Sequence, residues 1–140
     1  MGRSQGGFGT KVHLLCDGNG TPLAVALSPG HEHESQRLIA LLEDALLWPQ
    51  QPAKLAGDKG YSADWIRDWL TARDIKPVIP YKKNEKGYAK RFDRHSYRRR
   101  NIIERCVNSL KWFRRIATRY EKLAIHYLGM MTLAIIFRIL

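Results

Sequence analysis

Two short apolar runs, Lys54-Leu55-Ala56-Gly57 and Val78-Ile79, stand on either side of one helical pattern. That pattern carries Trp65, Ile66, Trp69 and Leu70 and ends near Asp74, with Ser62 in position to cap its start. A strand, a helix and a strand at this spacing form a βαβ crossover, which makes the two strands parallel neighbours. Parallel strands need a helix packed over them, so the pattern places the chain in the α/β class.

Upstream, Val12, Leu14 and Cys16 alternate on one face, and Leu23, Val25 and Leu27 alternate likewise. Asp17-Gly18-Asn19-Gly20 lies between them, which predicts a β-hairpin. Ser35 to Leu47 has helical spacing, with Ser35 as N-cap and Trp48-Pro49 as the stop. Tyr81 to His95 is a polar, basic connection, long for a loop in a compact domain. Ser96 can cap a helix from Tyr97 to about Ala117. Thr118 and Glu121 fit a capping box for a further helix from Arg119 to the end. Leu123–Leu140 is nearly all apolar, but it is at the short limit for spanning a bilayer and contains His126, Thr132 and Arg138. It is therefore expected as a core or interface helix, with no membrane partner. With no repeat and no linker, the 140 residues read as a single domain, 1–140.

Charge is unevenly distributed. The net charge is +11, yet Lys76 to Lys122 contains 16 basic and 4 acidic residues, a net of +12. The rest of the chain is close to neutral. A concentrated basic stretch is the footprint of a polyanion binder, here nucleic acid. Two cysteines, Cys16 and Cys106, exclude a disulfide scaffold and a four-cysteine zinc site. The first ten residues hold no apolar signal region, so a cytoplasmic protein associated with the nucleoid is expected.

Two carboxylates stand out. On the helix from Tyr97, the residues Tyr97, Arg100, Glu104 and Lys111 fall within one stripe of about 60°. Glu104 is the only acid between Ser96 and Tyr120, so it is either an ion-pair partner or a metal ligand. Asp58 follows the first strand of the crossover, and the carboxyl end of a parallel strand is where α/β sheets place functional groups. Phosphoryl transfer on nucleic acid commonly uses two divalent metals held by carboxylates. Asp58 and Glu104 could supply two of the ligands, and the sequence offers no evident third.

The string Tyr97-x-x-Arg100-x-x-x-Glu104 followed by Lys111 resembles the segment around the catalytic glutamate of DDE transposases of the insertion-sequence-five type. Three further blocks match in the same order: Gly7 to His13, Gly57-Asp58-Lys59-Gly60-Tyr61, and Arg114 to Leu123. The resemblance covers essentially the whole chain. It implies a ribonuclease H-like fold, dependence on Mg²⁺ with Mn²⁺ as a substitute, and DNA cleavage and strand transfer at insertion-sequence ends. It assigns Asp58 and Glu104 as catalytic metal ligands and Tyr97, Arg100 and Lys111 to a DNA-contacting face. Arg99, Arg114, Arg115, Lys82 and Lys83 extend that face through the basic stretch. Double-stranded DNA is the implied partner, and a homo-oligomer on DNA the implied assembly.

The departures are equally informative. In that family the first catalytic aspartate lies on the strand before the Gly-rich segment, where this chain begins. The chain therefore resembles the C-terminal portion of such an enzyme, incomplete at its first strand and inactive in isolation. It is either the downstream frame of a two-frame element, joined to its upstream part by frameshifting, or a non-catalytic DNA-binding remnant. An unrelated ribonuclease H-like nuclease is the third reading. His33-Glu34-Ser35 stands where the family commonly has His-Asp-Ser, so a carboxylate is kept. His31 and His33, two apart in a loop, read as polar loop residues rather than metal ligands.

Overall fold

The computed structural model describes residues 9–45, 50–87, 92–114, 116 and 123–140. β1 (Thr10–Cys16) and β2 (Pro22–Pro29) form the expected antiparallel hairpin, with Val12 opposite Leu27 and Leu14 opposite Val25. Asp17 builds the turn. Its Oδ1 accepts from the Asn19 and Thr21 backbone amides at 2.9 and 2.8 Å. Gly20 adopts φ 85°, a left-handed conformation that glycine reaches without strain. A Cβ there would also stand 3.1 Å from Ile102 Cγ2.

α1 (Ser35–Ala45) follows, with Ser35 opening the helix as its first residue. β3 (Lys54–Ala56) and β4 (Lys76–Val78) pair in parallel across α2 (Asp64–Thr71), as the crossover requires. Ser62 does not cap α2. Ala63 holds the cap position without a side-chain bond, and the Ser62 hydroxyl instead donates to Glu85 Oε2 at 2.6 Å. α2 ends where Asp74 turns left-handed at φ 56° and the Ile75 amide reaches back to the Leu70 carbonyl at 3.0 Å. Ile66 and Leu70, one helical turn apart, are fully buried. With Leu38, Leu42, Leu55, Ile75 and Ile79 they make the core under α1 and α2. Each such side chain contributes roughly 1.5–3 kcal/mol by leaving water.

The predicted Tyr97–Ala117 helix is divided. α3 (Arg94–Arg98) and α4 (Asn101–Leu110) are joined through Arg99 and Arg100. Both joint residues keep right-handed helical backbone angles, but the amides of Arg100, Ile102 and Ile103 bond three residues back rather than four. That is a 3₁₀-like tightening, which advances each residue by about 120° instead of 100°. Arg100 at the joint still reaches both the Tyr97 ring and Glu104. α4 stops at Leu110, leaving Lys111 in the following turn. Ser96 is not the cap of α3 either. Asp93 is, its Oδ1 accepting the Ser96 amide at 3.0 Å and its Oδ2 the Ser96 hydroxyl at 2.8 Å.

α5 (Ala124–Ile139) forms the second core with Leu110, Ile116, Tyr127, Met131 and Ala134 against the hairpin. Its Arg138 donates to the Gly20 carbonyl at 2.8 Å and to Cys106 Sγ at 3.3 Å. Ile125, Leu133, Ile136, Phe137 and Ile139 stay exposed. Among the described residues no helix is long and apolar enough to cross a membrane. The helix start at Arg119, the stop at Trp48-Pro49 and the Gly-rich opening lie outside the described residues, as does Arg115.

Among the described residues the strands make two separate two-stranded sheets, β2-β1 and β3-β4. The mixed α/β architecture is the expected class and is consistent with a ribonuclease H-like fold.

Candidate nucleic-acid and carboxylate site

Asp58 sits two residues beyond β3 and caps the short 3₁₀ turn Lys59–Tyr61. Its Oδ1 accepts the Gly60 amide at 2.8 Å. Among the described residues no hydrogen bond engages Oδ2. The loop before α1 brings Glu34 to the same place. Glu34 Oε2 and Asp58 Oδ1 both lie within 2.9 Å of the point where a Gly60 Cβ would stand, so a side chain there would displace them. Two carboxylates this close repel, and cations offset the repulsion. Lys11 Nζ is 3.8 Å from Glu34 Oε1, and Lys59 and Lys82 line the same cavity of about 570 Å³. Tyr97 closes it from α3.

On β1, two residues after Lys11, His13 is buried at 2 % exposure, bonded through Nε2 to Ser28 Oγ at 2.7 Å and through Nδ1 to the Tyr61 hydroxyl at 3.1 Å. Burial holds the imidazole pKa below its usual value. Burial likewise pushes the Tyr61 phenol up to about 12, with the Glu34 and Asp58 charges adding to it.

The basic face lies on α3, α4 and the turn after them. Arg99, Lys111 and Arg114 are exposed, as are Lys83, Arg94, Arg98 and Arg105. Arg100 is half-buried, with its guanidinium 5.2 Å from the Tyr97 ring centroid and 3.5 Å from Glu104 Oε1. Asp93 binds Lys54 at 3.2 Å and Lys76 at 3.3 Å, which ties α3 to both parallel strands. The Ser96 amide and hydroxyl and these lysines hold its carboxyl well below the usual carboxylate range.

The structure therefore brings together Asp58, Lys82 and Tyr97 from the residues singled out in the sequence. Arg99 and Arg100 line a neighbouring groove that also contains Asp58. Glu104 lines neither cavity. Its side chain is 65 % exposed and ion-paired to Arg100. Among the described residues no group of three or more His, Cys, Asp or Glu is placed to hold a metal ion. Lys11 and Asp93 were missed by the sequence reading, and Glu34 was noted there without a place in the site. For Glu34 the kept carboxylate of His33-Glu34-Ser35 was the available signal.

The chain is similar to known proteins over most of its length. A protein of Brucella ovis assigned as the transposase of insertion sequence element IS6501 is 31% identical over 126 residues, covering 89% of this chain and 93% of that protein. A Burkholderia cepacia protein assigned to element IS402 is 30% identical over 125 residues, covering 83% of this chain and 56% of the longer relative. No solved structure matches. The family described as "Transposase DDE domain" matches residues 2–138, and the chain belongs to that family of insertion-sequence DDE transposases.

Proposed function

We propose that the chain is the C-terminal portion of a transposase of the insertion-sequence-five type, acting on the ends of its element. The observation that carries this reading is the meeting of Asp58 and Glu34 in a cavity rimmed by Lys11, Lys59 and Lys82, beside an arginine-rich helix. Carboxylates and lysines around one cavity suit a scissile phosphate and a hard divalent cation.

The residues present fit such a cation in part. Asp58 offers Oδ2, Glu34 stands beside it, and Glu104 is the ligand proposed from α4, held at present by Arg100. Mg²⁺, with Mn²⁺ as a substitute, would activate the attacking oxygen and stabilise the leaving one. Lys11, Lys59 and Lys82 hold phosphate oxygens at the cavity mouth. Tyr97, Arg100 and Lys111, with Arg99, Arg114, Arg115, Lys82 and Lys83, hold the duplex. A further carboxylate from outside these 140 residues completes the set, so the chain alone binds DNA without cutting it. The 140 residues act as one domain, with 76–122 as its DNA-facing part, in a cytoplasmic, nucleoid-bound homo-oligomer assembled on DNA and joined to an upstream transposase part.

A second reading, a DNA-binding remnant without catalysis, draws support from the exposed position of Glu104 outside the Asp58 cavity. The two readings part on one experiment. In the chain joined to its upstream part, Asp58→Asn and Glu104→Gln are expected to abolish cleavage at element ends and leave DNA affinity within a few-fold. Cleavage that survives Glu104→Gln removes Glu104 from the site. A joined protein that binds but never cleaves establishes the remnant.

A further inference from the structure

Cys16 ends β1 and Cys106 lies within α4, 90 positions along the chain. β1 and α4 pack against each other, and the two side chains meet in a hydrogen bond between their sulfurs. Both are free thiols. Arg138 reaches the same point from α5, its Nη1 donating to Cys106 Sγ at 3.3 Å and to the Gly20 carbonyl at 2.8 Å. Three elements far apart in sequence thus converge on a pair of sulfurs and a guanidinium. A buried cysteine alone is an apolar filler. Two sulfurs in contact have a chemistry that neither has singly, and a cation donating to one of them favours the electron-rich form that attacks an oxidant.

The two sulfurs differ in access. Cys106 is 1% exposed, out of reach of a large molecule. Cys16 is half-buried and lines, with Leu14, Leu55 and Ile103, a groove of about 540 Å³. An oxidant of two heavy atoms fits that approach, and another protein's disulfide does not. The register of β1 against β2 shifts between Leu15 and Cys16, so a regular ladder does not hold Cys16 in place. Sulfurs already in hydrogen-bond contact have to close by only roughly 2 Å to reach the length of an S–S bond.

We infer that Cys16 and Cys106 form a redox-active pair that a peroxide converts to a disulfide, pinning α4 to the end of β1. The Cys106 sulfur, bonded to Arg138, gives its electron pair to one peroxide oxygen and the O–O bond breaks. The departing hydroxide leaves as water with the thiol proton, and Cys106 becomes a sulfenic acid. The Cys16 sulfur then attacks the Cys106 sulfur and the S–O bond breaks. The hydroxyl leaves as a second water with the Cys16 proton. The two sulfurs together lose two electrons and the peroxide gains two. A small dithiol restores both thiols by exchange. The bond closes a loop of 90 residues, which restrains the unfolded chain and stiffens α4 against the hairpin. None of this depends on what the chain does to DNA.

The test treats the 140-residue chain with a few equivalents of hydrogen peroxide, digests it without reduction and reads the peptides by mass spectrometry. The expected product is a peptide pair linked through Cys16 and Cys106, from monomeric protein, which dithiothreitol returns to two thiols. With the link in place the urea midpoint rises and exchange of the α4 amides slows several-fold, both reversing on reduction. Cys16→Ser is expected to leave a sulfenic acid on Cys106 that a 1,3-dione captures. Cys106→Ser is expected to leave Cys16 about tenfold slower to oxidise. Protected amides at Ile66 and Leu70 report an intact fold in each variant. The inference is overturned if both thiols survive peroxide in the folded chain, or if they oxidise without the Cys16–Cys106 link. It is overturned equally if the link joins two copies, if it forms only in urea that also exposes Ile66 and Leu70, or if Cys16 oxidises as fast without Cys106.

Discussion

Glu34 and Asp58, 24 positions apart in the sequence, place one carboxylate oxygen each over the Cα of Gly60, where only a hydrogen leaves room for them. Their combined charge reaches the Tyr61 phenol, which burial has already pushed up and which stands at about 12. Glu34→Gln removes one of the charges that favour the neutral phenol, so the Tyr61 pKa is expected to fall toward its ordinary value. Gly60→Ala, which pushes the Glu34 carboxylate aside, is expected to act in the same direction by less. Ultraviolet titration of tyrosinate in the two variants checks both shifts.

His13 makes the fold sensitive to mild acid. Its folded pKa lies below the ordinary imidazole value, so the unfolded chain takes up the proton first. The contribution is fully present above about pH 6.5 and is lost as pH falls from there through the folded value. His13→Leu leaves Ser28 and Tyr61 without their partner, at a cost of roughly 1–3 kcal/mol at neutral pH. It is also expected to flatten the decline below pH 6.5, as read from urea midpoints at successive pH values.

Asp74 closes α2 at φ 56°, a backbone region that disfavours any side chain. Asp74→Gly is expected to stabilise the fold by about 0.5–1 kcal/mol. A higher denaturation midpoint with an unchanged slope confirms it, since the slope follows the surface exposed on unfolding.

On the proposed function, DNA affinity is expected to fall steeply with salt, because cations that neutralise phosphates release counterions. Arg99→Gln, Lys111→Gln and Arg114→Gln should each reduce the salt slope by about 0.9. Arg73→Gln should leave it unchanged, since Arg73 lies over the Trp69 ring at the far end of α2. Fluorescence anisotropy with a labelled duplex across a salt series separates the two groups.

The hairpin and the crossover were legible in the sequence because period-2 alternation and a strand-helix-strand spacing are local signals. The division of the helix at Arg99 and Arg100 was not. Both residues keep helical angles, and a shift from four-residue to three-residue bonds leaves no mark on residue type. The helix starts were misassigned for a related reason. Ser62 and Ser96 are good caps by composition, but Ser62 turns to Glu85 and Asp93 takes the role expected of Ser96. Asp58 was placed correctly as a strand-end carboxylate. Its partner Glu34 was not, because the approach of a loop before α1 to a turn after β3 is set by tertiary packing over Gly60. Tyr97 lines the Asp58 cavity and Glu104 does not, a difference that a helical wheel drawn from the sequence does not show.

The bond from Arg138 to the Gly20 carbonyl joins residues 118 positions apart. A hairpin such as β1–β2 forms in about 1–10 μs, yet a ribosome adding about 5–20 residues per second takes on the order of ten seconds to travel from Gly20 to Arg138. During synthesis the hairpin turn thus waits, without its clamp, for nearly the whole chain to emerge. In that interval the turn is held from within, by the Asp17 side chain, and the clamp on Gly20 is among the last tertiary contacts the finished chain can make.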